Sequence, residues 1–193
     1  MNCKTLIFRS ILMLLTIFTL NACSKKAYVG VNQDKKIKVT KDAGNKVKVG
    51  TSKQPTVDPI VEAENNTTDA GKAVLEVGRK MVFEEKAIIK GACWDYINEV
   101  FNRAGYGTNK KAIFKSKKSG PYADINIIKP GDWLYYINYS YGGIEHSGIF
   151  VYWKDFENKI GVTLSYGGEK RNEPGRYLEY DLKSVYYITR PGE

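Results

Sequence analysis

Histidine occurs once in these 193 residues and cysteine three times. A tetrahedral zinc site needs three or four nitrogen or sulfur ligands, so neither residue type is plentiful enough to build one. The acidic residues lack the spacing of a calcium loop. The glycine pairs fall in expected hairpins, not in a strand-to-helix phosphate cradle. Neither a metal nor a cofactor is therefore expected. The chain also lacks a run of the roughly 20 apolar residues that cross a bilayer as a helix. Its longest such stretch, Ile11 to Leu20, is about half that length, which disfavours a permanent span.

What surrounds that stretch is informative. Lys4 and Arg9 precede it, and Leu20-Asn21-Ala22-Cys23 follows, the order of an export signal. The four residues resemble the lipobox of bacterial lipoproteins, in which the cysteine is lipidated and becomes the new N-terminus. The resemblance implies a signal peptide over 1–22, a lipid on Cys23, and an exported protein facing the periplasm or cell wall, tethered to the membrane by acyl chains. The alternative is ordinary signal cleavage nearby, with Cys23 left as a thiol. In the lipoprotein reading Cys3 leaves with the signal and Cys23 is acylated, so Cys93 has no intramolecular partner in an oxidising compartment. An exported lone thiol is either buried filler or a nucleophile.

Thirty basic residues against 21 acidic ones give a net charge of +9, and loss of Lys4 and Arg9 leaves +7. A basic exported protein sits against anionic head groups or wall polymers, and export makes nucleic acid a poor partner. The lysines are also dispersed enough to be a solvated face.

Residues 23–69 read as the lipidated cysteine followed by a flexible, Lys-rich linker, with Pro55 and Pro59 interrupting regular structure. Within it, 36–40 and 46–50 alternate around Asp42-Ala43-Gly44-Asn45 as a small hairpin would. The folded domain is expected over 70–193. Thr68 and Asp69 cap a first helix over about 70–84. Cys93, Tyr96, Ile97, Val100, Phe101 and Ala104 then recur at helical spacing, with Gly105 as a stop, so a helix over about 93–104 should bury a stripe beginning at the cysteine. A lysine-rich loop, 110–118, leads to Pro130-Gly131-Asp132, and from there the period changes to two. Strands are expected at 133–138, 146–153, 159–166, 177–180 and 185–189. Helices first and antiparallel strands after is an α+β arrangement, with the helices packed on one face of the sheet.

Cysteine attacks as the thiolate, which the unpaired N–H groups of a helix start favour, and Cys93 falls at such a start. Its own N–H could help hold an oxyanion. The base within reach has to be His146, at the start of an expected strand between Gly142-Gly143 and Gly148. If the helix lies stripe-down across the sheet, Cys93 meets His146 on the inward face.

Three segments strengthen the pairing. Gly91-Ala92-Cys93-Trp94-Asp95-Tyr96-Ile97 resembles the nucleophile helix, Lys129-Pro130-Gly131-Asp132-Trp133-Leu134-Tyr135-Tyr136 the turn-and-strand motif, and His146-Ser147-Gly148-Ile149-Phe150-Val151 the histidine strand of the NlpC family of bacterial cell-wall cysteine peptidases. The resemblance covers 70–166 and implies a papain-like fold and a peptidoglycan stem-peptide substrate. It implies Ser165 as the third catalytic residue, where the family carries His, Asn or Gln. The family's Pro-Tyr before the nucleophile is absent. A serine hydroxyl is short, so a water would bridge it to the ring. Asp132 is expected to cap its own turn, and Asp95 to support the first turn of the helix. Trp94, beside the nucleophile, and Tyr166 are the candidate substrate-binding residues. The functions in play are a cysteine peptidase or amidase, a thiol amidase or acyltransferase on lipid-linked or protein substrates, and a non-catalytic lipoprotein whose groove binds wall fragments or a protein partner.

Overall fold

The structure is a computed structural model that describes residues 57–193. The expected signal peptide, Cys23 and the 36–50 hairpin lie outside the described residues. Three helices come first: α1 (Pro59–Asn65), α2 (Asp69–Phe83) and α3 (Cys93–Arg103). Six strands follow, β1 (Lys110–Lys115), β2 (Trp133–Asn138), β3 (Ile144–Asp155), β4 (Ile160–Ser165), β5 (Arg176–Asp181) and β6 (Val185–Pro191), in one antiparallel sheet of order β1-β6-β2-β3-β4-β5. The α+β class and the helix-then-strand order are those expected. Among the described residues no helix is long and apolar enough to cross a membrane.

Two elements differ from the expectation. The linker expected over 23–69 does not extend through 59–65, where α1 is helical and part of the core. Pro59 sits in the first turn, where its missing N–H costs nothing. The Asp58 side chain accepts from the Ile60 N–H at 2.9 Å. Ala63 is buried with the apolar residues of α2, and Glu64, also buried, accepts from Arg79 Nε at 2.7 Å. The second difference is β1, expected as loop. It is an edge strand paired only with β6, and Lys111 and Lys115 face water. Polar edges of this kind deter pairing with a second molecule and erase the alternation by which strands are recognised.

The helices form for the reasons their sequences suggest. Thr68 accepts from the Gly71 N–H at 3.2 Å, and Val74, Leu75, Gly78, Met81 and Val82 bury one face of α2. In α3 the residues Tyr96, Ile97, Val100 and Phe101 are completely buried, each contributing about 1.5–3 kcal/mol of apolar burial. Gly105, at φ +86, ends it, and the Tyr106 N–H returns to the Phe101 carbonyl at 2.8 Å. The stripe starts at Tyr96, not at Cys93: the cysteine is half-buried.

Cross-strand pairing sorts the sheet into two faces. Trp133, Ile149, Val151, Val162 and Leu164 pack against the helices. Leu134, Tyr136, Phe150, Val185 and Ile188 form a second core on the other face, closed by Ala123 and Ile128 of the long β1–β2 connection. The Pro130-Gly131-Asp132 turn joins the layers. Gly131 has φ +92, and a Cβ there would lie 2.6 Å from the Gly71 Cα in α2. Asp132, 1% exposed, accepts from the Lys129 N–H at 2.8 Å and from Arg190 at 2.7 and 2.8 Å. Burial pushes this carboxyl above the ordinary range, while Arg190 and the Lys129 N–H pull it down. Asp132 thus caps its own turn, as expected, and also ties β6 to it.

Candidate active site

The approach to α3 is built for close contact. Tyr166 Oη donates to the Ile89 carbonyl at 2.8 Å, and the Glu169 N–H donates to the Gly91 carbonyl at 3.0 Å. These bonds pin the segment before Cys93 to the end of β4, where Ser165 lies. Gly91 has φ +110, and any Cβ there would collide with the Asp95 carboxylate. That carboxylate accepts from the Ala92 N–H at 2.8 Å, which orders the first turn as half of a capping box; alanine has no acceptor for the other half. Cys93 is the first residue of α3. Its N–H and that of Trp94 have no intrahelical partner, and no other described residue accepts from them.

His146 faces away from the helices. It pairs with Tyr136 across β2, and the Tyr136 ring meets it edge-on at 5.7 Å, on the face of the second core. The expectation that Cys93 meets His146 on the helix-covered face is therefore corrected. The strand pleat puts Ser147 and Ile149 under the helices and His146 on the opposite side. His146 lies near the start of β3 and Ser165 at the end of β4, so these two share one rim of the sheet.

Ser165 accepts or donates directly at His146 Nε2, 2.7 Å away, so no bridging water is needed. The reason is local. Ser165 pairs with Gly148, which places His146 on the diagonal with no side chain between them. Ser165 Oγ is in turn 2.9 Å from Tyr180 Oη, which is itself 3.5 Å from Nε2. No hydrogen bond joins His146 to Cys93. Burial drops the imidazole from its ordinary 6.5 to about 4, so the ring is neutral at physiological pH.

The two candidate binding residues part company. Trp94 is 49% exposed beside Cys93, its ring 5.7 Å from Trp133, and the aromatic row continues through Tyr135 at 5.3 Å to Tyr187 at 5.0 Å. Tyr166, by contrast, is 1% exposed and stacks on Tyr96 at 4.5 Å. It is a core residue that holds the Ile89 backbone and cannot line a groove. Tyr180 was not singled out from the sequence, because pairing sets it beside Gly161, well along β4 from Ser165. Among the described residues no group of three or more His, Cys, Asp or Glu side chains is placed to hold a metal ion. No family model, curated protein or solved structure matches the chain.

Proposed function

We propose that the protein is a cysteine peptidase or amidase that hydrolyses amide bonds through a thioester, with a papain-like arrangement of Cys93 and His146. The observation that carries this is the hydrogen bond between His146 Nε2 and Ser165 Oγ. With that nitrogen occupied, the ring is oriented and Nδ1 is left for the thiol. In the reaction the Cys93 thiol proton passes to Nδ1 as sulfur attacks the amide carbon. The N–H of Cys93 donates to the oxyanion. The imidazolium then protonates the leaving amine, and the C–N bond breaks to give the thioester. Water, losing its proton to the same nitrogen, releases the acid and restores the thiol. Because the ring is neutral at rest, proton transfer accompanies attack and does not precede it.

Peptidoglycan stem peptides are the proposed substrate, on the strength of the three NlpC-like segments and the lipobox-like Leu20–Cys23 stretch. Full-length protein and its Cys93→Ala variant, incubated with purified muropeptides and read by mass spectrometry, test the reading. Cleavage by the wild type alone supports it; cleavage by both or by neither refutes it. A second reading is favoured by the absence of a Cys93–His146 hydrogen bond: a non-catalytic protein binding wall fragments through the same rim, for which the assay would show retention without cleavage.

A further inference from the structure

We infer that the turn between β2 and β3 is a membrane-contact tip, which seats Tyr139, Tyr141 and Ile144 in the head-group layer of an anionic lipid surface. These side chains are 53, 63 and 50% exposed. Apolar residues exposed singly need no explanation, but three on one turn do. The backbone holds them out. Tyr139–Tyr141 form one 3-10 turn, Gly142 and Gly143 follow at φ +72 and +68, and the Gly143 N–H donates to the Asn138 carbonyl at 3.0 Å. A Cβ on Gly142 would meet nothing within 4 Å, so the turn projects into solvent.

The chemistry of the tip selects its partner. Tyrosine joins an apolar ring to a hydroxyl, the combination enriched where hydrocarbon meets water. Ile144 adds an aliphatic group that hydrogen-bonds nothing, which suits acyl chains better than a hydroxyl-rich glycan. Lysines stand beside the turn. Lys183 Nζ lies 5.6 Å from the centre of the Tyr139 ring. Tyr122 Oη, 3.3 Å from Tyr139 Oη, donates to the Lys118 carbonyl at 3.1 Å and so ties the Lys117–Lys118 stretch to the tip. The carboxylates that these groups touch are neutralised: Glu145 pairs with Lys118 and accepts from the Tyr186 hydroxyl at 2.5 Å, and Asp181 pairs with Lys183 at 2.5 Å. Lys117 has no ion-pair partner among the described residues, and the whole chain carries +9. An apolar tip fringed by lysine, on a basic chain, matches an anionic leaflet. His146 is two residues on from Ile144, so lipid at the tip brings the His146 rim of the sheet close to the head groups. This contact is separate from any acyl chain on Cys23, and it does not depend on the hydrolase reading.

The full chain is incubated with an excess of phosphatidylglycerol vesicles or of phosphatidylcholine vesicles. In the wild type, amide hydrogen exchange over 138–145 should be at least about fivefold slower on phosphatidylglycerol than on phosphatidylcholine. In Tyr141→Trp, lipids brominated on their acyl chains should quench tryptophan emission more than in the wild type, whose Trp94, Trp133 and Trp153 supply the background. If that variant fails to fold, the wild-type exchange decides. Exchange unchanged by phosphatidylglycerol, or quenching in a folded Tyr141→Trp no greater than in the wild type, overturns the inference. Equal protection by both lipids removes the role of the lysines and overturns the anionic assignment. Protection by soluble muropeptides and not by vesicles assigns the tip to the wall and overturns the lipid one.

Discussion

Acidification should cost this fold stability through its single imidazole, and the size of the effect follows from where His146 sits. The ring is held by two neutral hydroxyls, with no carboxylate to compensate a positive charge, and burial lowers it from 6.5 to about 4. A group whose folded value is depressed in this way is neutral in the native state and takes up its proton on unfolding. Between pH 6.5 and 4 the unfolded chain therefore binds more protons than the folded one, and stability falls as pH falls. Over about 2.5 units at 1.36 kcal/mol each, the loss is about 3.4 kcal/mol in all, most of it reached by pH 4 and complete about a unit below. One ¹H–¹³C resonance of the imidazole should titrate with a midpoint near 4. Urea unfolding at pH 7, 5.5 and 4.5 should show a steeper decline for the wild type than for His146→Gln, which cannot charge. A midpoint at or above 6.5, or identical slopes for the two proteins, would refute the burial argument and point instead to a standing thiolate–imidazolium pair. The acid limb of any hydrolytic activity should lie near the same low midpoint, because only the neutral ring can accept the thiol proton.

Removing Arg190 leaves the Asp132 carboxylate buried with only the Lys129 N–H against it. Arg190→Ala should therefore cost about 3–5 kcal/mol in chemical denaturation, and a loss under 1 kcal/mol would show the pair to be dispensable. Trp94→Ala should weaken substrate binding, seen as a raised KM, while leaving thermal stability nearly unchanged. Tyr166→Phe should do the opposite, losing one buried hydrogen bond worth about 1 kcal/mol with KM unaffected. A chain beginning at residue 70 lacks α1, and with it the buried Ala63 and the Glu64 partner of Arg79. Compared with one beginning at residue 57, it should lose at least about 2 kcal/mol in urea unfolding, and equal midpoints would place α1 outside the cooperative unit.

Much of the architecture was legible from local chemistry. The bounds of α2 and α3 follow from Thr68, from the Tyr96-Ile97-Val100-Phe101 stripe and from Gly105, each of which acts within a few residues of itself. The five strands after Asp132 could be read because they are rich in Tyr, Val, Ile and Phe and separated by Gly, Asn, Asp or Pro turns. What escaped were elements whose meaning depends on distant partners. Pro59 looks like a breaker until α1 is seen to begin there and to hand Glu64 to Arg79. Lys110–Lys115 looks like a loop because its order comes from pairing with β6, some 75 residues later in the chain.

The site divides in the same way. Scarcity alone singled out Cys93 and His146, since no other histidine was available to be a base, and the Gly91-to-Asp95 segment prescribed a tight start to α3 on its own. Pairing register and packing decided everything about how the two residues could work together. The pleat turned His146 to the face opposite the helices, Gly148 opened the diagonal along which Ser165 reaches Nε2, and burial removed the charge from the ring. Tyr180 entered through tertiary structure alone, because a tyrosine hydroxyl reaches about 6.5 Å beyond its own backbone and no pairing rule announces where it ends. Sequence thus specified which groups are candidates for chemistry, and the sheet determined that His146 Nε2 faces the hydroxyls of Ser165 and Tyr180.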